Sequence, residues 1–136
     1  ALDEALKMMR EEGLDNIFFR HNKHKLAMSN AVKALNLKLF ADEKYLSPSI
    51  TAIKTEGMDA EEFRKTIKNN FDILLAGGQD HLKGKIFRVG HLGYVNDRDI
   101  ITVVSAISNT LLNLGKITAQ QAGEALVVAS RYLEDK

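Results

Sequence analysis

Arg88 is the residue of this sequence best placed to do chemistry. It lies in GKIFRVGHLGYVNDRDI, from Gly84 to Ile100, between Phe87 and Val89 in a short apolar run that leads to a turn flanked by Gly90 and Gly93. A guanidinium is planar and permanently charged, and it meets a carboxylate or phosphate with two parallel hydrogen bonds. Setting one among apolar neighbours without a partner is costly, so a partner is implied. Two partners are open on these residues: an internal carboxylate in a structural salt bridge, or the anionic end of a ligand.

The other reactive residues form no complete set. His91 follows Arg88 by three residues in the glycine-flanked turn, where it is placed to line the same pocket or to cap the loop. Gly77 and Gly78, in AGGQDHLKGK, let a backbone approach a ligand or turn tightly between strands, and they are further candidates for lining a pocket. The segment is not a phosphate loop: Gly78 to Gly84 encloses five residues where that motif has four, and Ile86 stands where it needs Ser or Thr. His21 and His24 are one helical turn apart, but no third ligand has a defining spacing, so a metal site is not expected. Asp97 and Asp99 read as carboxylates at a helix N-terminus rather than as a catalytic pair. None of the lysines lies in an apolar stretch that would lower its pKa for Schiff-base chemistry.

Composition narrows the partners. With 19 Lys and Arg against 18 Asp and Glu, the chain has no basic footprint for nucleic acid or an anionic membrane. No apolar run approaches the roughly 18–20 residues that span a bilayer. The absence of cysteine excludes a disulfide framework, a thiolate metal site and a cysteine nucleophile, and the expected location is the cytoplasm. At 136 residues, 45% of them hydrophobic, the chain is one domain with a sizeable core. Its first residue falls within a helical pattern with no initiator methionine and no N-cap, which points to a piece of a longer polypeptide.

These residues must be positioned by a small set of elements. Leu2, Ala5, Leu6 and Met9 predict an amphipathic helix stopped at Gly13, and a second, longer helix is expected from Asp15 as N-cap to about Leu35. Its broad apolar face includes Ile17, Phe18, His21, Leu26, Met28 and Val32. Strands are expected around Leu37 and Leu39, from Ile50 to Thr55, from Ile73 to Leu75 and from Ile86 to Val89. Asp59 and Glu62 open a helix to about Asn69, with Phe63 and Ile67 packed on the sheet and Arg64, Lys65 and Lys68 in water. Asn96 or Asp97 caps a helix that ends at Gly115. Thr118 caps the last, with Ala122, Ala125, Leu126, Ala129 and Leu133 buried and Arg131, Glu134 and Lys136 at its exposed end. This order predicts an α+β fold in which helices cover a small, mostly antiparallel sheet.

Three stretches, EEGLDNIFFRH, SPSITAI and AGGQDHLKGKIFRVGHLGYVNDRDI, together resemble the C-terminal small domain of the class V aminotransferases. These pyridoxal-phosphate enzymes include the alanine:glyoxylate and serine:pyruvate aminotransferases. The resemblance covers nearly the whole chain. It is strongest to a cyanobacterial branch whose members also carry the name of a soluble hydrogenase small subunit, although a chain without cysteine offers that name no thiolate ligand.

The resemblance implies that residues 1–136 are a small domain, with 1–13 the end of an interdomain helix. Arg88 would bind the substrate's α-carboxylate. The Schiff-base lysine and most contacts to pyridoxal 5′-phosphate would belong to a preceding large domain, so this stretch alone would bind no cofactor and would be inactive. Its implied partners are that large domain, a second copy in a homodimer, and small amino-acid and keto-acid substrates. The implied reaction moves an amino group from alanine or serine to glyoxylate or pyruvate. Arg88 is then expected to be more exposed than Phe87 and Val89, on the side facing the large domain. The alternatives are a stand-alone, non-catalytic interaction module, with Arg88 in a core salt bridge, and a subunit of a soluble hydrogenase.

Overall fold

The computed structural model describes residues 1–134, so Lys136 lies outside the described residues. Within them are five α-helices and four strands. They comprise α1 (Leu2–Glu12), α2 (Leu14–Ala34), β1 (Lys38–Leu39), β2 (Ile50–Lys54), α3 (Ala60–Phe71), β3 (Ala76–Gly77), β4 (Ile86–Gly90), α4 (Asp97–Asn113) and α5 (Ala119–Leu133). The strands form one sheet in the order β1-β2-β4-β3, every neighbouring pair antiparallel. The fold is α+β, as the order of elements predicts.

The helices pack on one face of the sheet. Along β4, Phe87 and Val89 turn toward them and are buried, with Ile53 beside them from β2, while Arg88 between them is on the opposite side of the pleat. From α2, Ala27, Met28, Ala31, Val32 and Leu35 complete the core against Ile100, Val104, Ile107 and Leu111 of α4 and Ala125 and Ala129 of α5. Phe63 of α3 meets Phe87 with ring centroids 5.1 Å apart, which fixes α3 above β4.

The helix starts follow their chemistry. Asn96 and Asp99 form a reciprocal capping box at α4, and Thr118 and Gln121 form another at α5. At α3 the Asp59 carboxylate accepts from the amides of Glu61 and Glu62. The start of α2 departs from expectation: Gly13, at φ 83, ends α1 and begins α2 in the same residue, and Asp15 lies in the first turn. A positive φ lets the chain change direction within one glycine, leaving no room for a separate cap.

Three other expectations are corrected. The third strand is Ala76–Gly77 rather than Ile73 to Leu75, because Asp72 takes a left-handed conformation at the end of α3 and pairing with β4 begins only at Ala76. Phe18 is 64% exposed. Arg64 is not a solvated charge but half-buried, donating from Nε to the carbonyl of buried Leu75 at 2.7 Å and from Nη1 to both Glu61 oxygens at 2.8 Å.

Candidate functional site: the open face of the sheet

Arg88 stands in the middle of the uncovered face. Its cross-strand neighbours are Ala52 on β2 and Ala76 on β3, so a long cationic side chain is flanked on both sides by methyl groups. One pleat further on, Ile50 is opposite Gly90, again with no side chain on β4. Arg88 is half-buried where Phe87 and Val89 are buried, in accord with the expected difference in exposure. Nε donates to the carbonyl of Gly77 at 2.9 Å. No carboxylate among the described residues lies within ion-pair distance of Arg88. The internal salt bridge that the sequence left open is therefore not supplied by these residues. What they do supply is an arginine steadied through Nε, with the two Nη groups forming the end of the fork that matches a carboxylate.

The two glycines have different reasons to be there. Gly77 provides the acceptor for Arg88, and a β-carbon on it would lie 2.5 Å from Nη1 of Arg64. At Gly78 a β-carbon would run into the backbone carbonyl of Leu82, because the chain turns back through a short 3-10 turn at Asp80–Leu82 before entering β4. Backbone cannot swing aside as a side-chain end can. Gly78→Ala is accordingly expected to destabilise the protein by about 1–3 kcal/mol, seen as a lower denaturant midpoint with an unchanged slope. A midpoint equal to wild type would show that the turn is not tight.

His91 does not share the Arg88 face. It is fully buried, two residues beyond Val89 and on the same side of the pleat. Its Nδ1–H donates to the Pro48 carbonyl at 3.0 Å, and its Nε2 accepts from the Thr51 hydroxyl at 2.9 Å. Its backbone amide also donates to the Ser49 carbonyl. Burial pushes its pKa down to about 4, against the Pro48 hydrogen bond, which works to raise it, and with a further lowering from His24 and His21. His91 is thus a neutral tie between β4 and the start of β2, and not a pocket-lining group. Three residues of separation suggested proximity to Arg88, but on an extended chain an odd separation puts two side chains on opposite faces.

Residues that sequence reasoning passed over hold the segment after β4. Arg20 of α2 pairs with both oxygens of Glu12, Nε at 2.6 Å and Nη2 at 2.9 Å. Its Nη1 donates to the carbonyls of Gly93 and Val95. The Gly93 amide in turn donates to His21 Nε2, and Lys23 and His24 both bind the Asp97 carboxylate, at 3.0 and 2.9 Å. One flank of α2 therefore grips positions 93, 95 and 97 in succession. Burial of Asp97 disfavours its ionised form, but the hydrogen bonds from His24 and Lys23 prevail and its pKa is lowered. Burial lowers that of His24 despite its Asp97 partner. His21 and His24 are thereby engaged separately, and the described residues contain no group of three or more potential metal ligands. The signal in the sequence was the polar set Arg20, His21, Lys23 and His24, spaced three and four apart along one flank of the helix.

The geometry has counterparts among known proteins. No protein-family model matches the chain. It is 34% identical over 137 residues to the serine--glyoxylate aminotransferase of Methylorubrum extorquens, covering 98% of this chain and 33% of that protein. The crystal structure of pyridoxamine-pyruvate aminotransferase from Mesorhizobium loti superposes with a TM-score of 0.89 at 26% identity, over 96% of this chain and 34% of that one. The homologues of this chain include class V aminotransferases. The soluble hydrogenase small subunit of Synechococcus sp. (strain PCC 6716) also matches, 52% identical over 98% of this chain and 34% of that protein. The chain spans about a third of the length of the curated relatives it matches. The small sheet with its helices is the architecture these aminotransferases share with it. No helix among the described residues is long and apolar enough to cross a membrane.

Proposed function

We propose that this chain is the substrate-carboxylate-binding small domain of a pyridoxal-phosphate-dependent aminotransferase, with Arg88 as the clamp. The observation that carries the reading is the row Ala52, Arg88, Ala76: an arginine on an uncovered sheet face, steadied by the Gly77 carbonyl, with no carboxylate partner among the described residues. A guanidinium so placed has lost part of its hydration and regains it best from a bidentate anion, and the α-carboxylate of an amino acid is such an anion. The homology to aminotransferases supplies the chemical context.

Relatives named for serine and glyoxylate or for ureidoglycine and glyoxylate support a reading with small amino donors and a small keto acid, and alanine or serine with glyoxylate or pyruvate is the specific proposal. The residues described do not by themselves make a pyridoxal-phosphate site: no lysine among them is fully buried, and Lys23, whose side chain is 12% exposed, is paired with Asp97. The part proposed for this chain is to bind and orient the substrate. The proposal places residues 1–13 as the end of a helix leading in from a large domain, and the working unit as a homodimer, with exposed Leu2, Leu6 and Met9 consistent with a neighbour along α1. The test is replacement of Arg88 in the full-length protein, with steady-state kinetics against the amino acid.

A further inference from the structure

We propose that Arg64, held by Glu61, is a positioning residue for Arg88. The proposal rests on the reading of Arg88 as a carboxylate clamp and extends it to the groups that hold the clamp. Among the described residues Arg88 is oriented through one hydrogen bond, from Nε to the Gly77 carbonyl, so its aim depends on where β3 sits. That strand is a weak support by itself. It has two residues, paired with Arg88 and Phe87 of β4, and beyond them only the Gly78 amide reaches back, to the Ile86 carbonyl at 3.1 Å.

Arg64 supplies what the ladder lacks. From α3 it donates to the carbonyl of Leu75, the residue just before β3, at 2.7 Å, while Nη1 bridges both oxygens of Glu61 one turn earlier. Glu61 fixes the plane of the guanidinium, and the guanidinium fixes the Leu75 peptide. The pair also lies against Gly77 itself: a β-carbon there would be 2.5 Å from Nη1 of Arg64 and 2.6 Å from a Glu61 oxygen. The α3 ion pair thus holds β3 from the helical side at the position whose carbonyl serves Arg88. With Phe63 seated on Phe87, α3 is itself locked to β4, so Arg64 and Arg88 are referred to a common frame. A guanidinium misaligned by a fraction of an ångström loses a bidentate contact, so a support two residues from the acceptor bears directly on binding.

The experiment uses the full-length protein and steady-state kinetics with the amino acid, alongside thermal melts. Arg64→Met, which keeps the length of the side chain but no donor, is expected to raise KM about fivefold to tenfold while kcat stays within about twofold. Arg64→Lys, which can still donate to one acceptor, is expected to recover part of the loss. In an Arg88→Ala background the same Arg64→Met change is expected to raise KM no further, because the residue it positions is gone. An equal rise in both backgrounds, or a lower melting temperature with KM unchanged, would overturn the proposal. Should Arg64→Met not accumulate as folded protein, Gly77→Ala displaces the same guanidinium, and an unaltered KM in that variant overturns it equally. The two readings are separable. Arg88→Ala without effect on KM removes the clamp and this inference with it, whereas a strong Arg88→Ala effect beside an inert Arg64→Met removes the positioning role alone.

Discussion

Arg88→Ala in the full-length protein is expected to lower kcat/KM for the amino acid by about 2–3 kcal/mol of transition-state binding, roughly thirtyfold to a hundred-and-fiftyfold, chiefly through KM. The magnitude follows from removing charge-assisted hydrogen bonds to a carboxylate, each stronger than a neutral one and partly shielded from water on this face. Arg88→Lys is expected to be nearly as poor, since an ammonium cannot reproduce the fork. Stability should move much less. Among the described residues the side chain makes one hydrogen bond, and its neighbours in the row are alanines, so truncation opens little cavity. Kinetics indistinguishable from wild type would return Arg88 to a purely structural role.

The second large effect is on acid stability, and it resides in His91. Its folded pKa, about 4, is below the ordinary value of 6.5. Between those values the unfolded chain binds a proton that the folded protein excludes. Stability is therefore fully present above about pH 6.5 and is lost as pH falls from there toward 4, by an amount on the order of 3 kcal/mol. The His24 pKa is lowered as well, so it adds loss of the same sign. Denaturant melts at pH 7, 5.5 and 4.5 should show the decline, and His91→Phe should flatten it while lowering stability at pH 7, because it strands the Thr51 hydroxyl and the Pro48 carbonyl. An equally steep decline in that variant would assign the acid sensitivity elsewhere.

Local chemistry made the helix starts at Asn96 and Thr118 readable from sequence, since a cap and its partner three residues on satisfy the same backbone groups wherever they occur. Arg88 stood out too, and its place on the strand was readable, because a charge inside an apolar strand is anomalous under any fold. What escaped depended on contacts between distant segments. Phe18 belongs to the apolar pattern of α2, but periodicity reports a face and not whether anything lies against it. The grip of Arg20 on Gly93 and Val95 joins residues more than seventy apart, and nothing in either segment announces the other. Arg64 resembled its neighbours Lys65 and Lys68 as an exposed charge until the Leu75 carbonyl appeared beside it. His91 showed the reverse error, where closeness along the chain was taken for closeness in space.

The two outer strands of the sheet, β1 and β3, have only two residues each. A strand that short offers too few unpaired amides and carbonyls to template another chain, and the exposed Lys38 on β1 further discourages approach. The sheet can therefore leave one face bare without inviting strand-by-strand aggregation from its sides. Brevity at the rims, which makes β3 dependent on Arg64, is also what keeps an open sheet from polymerising.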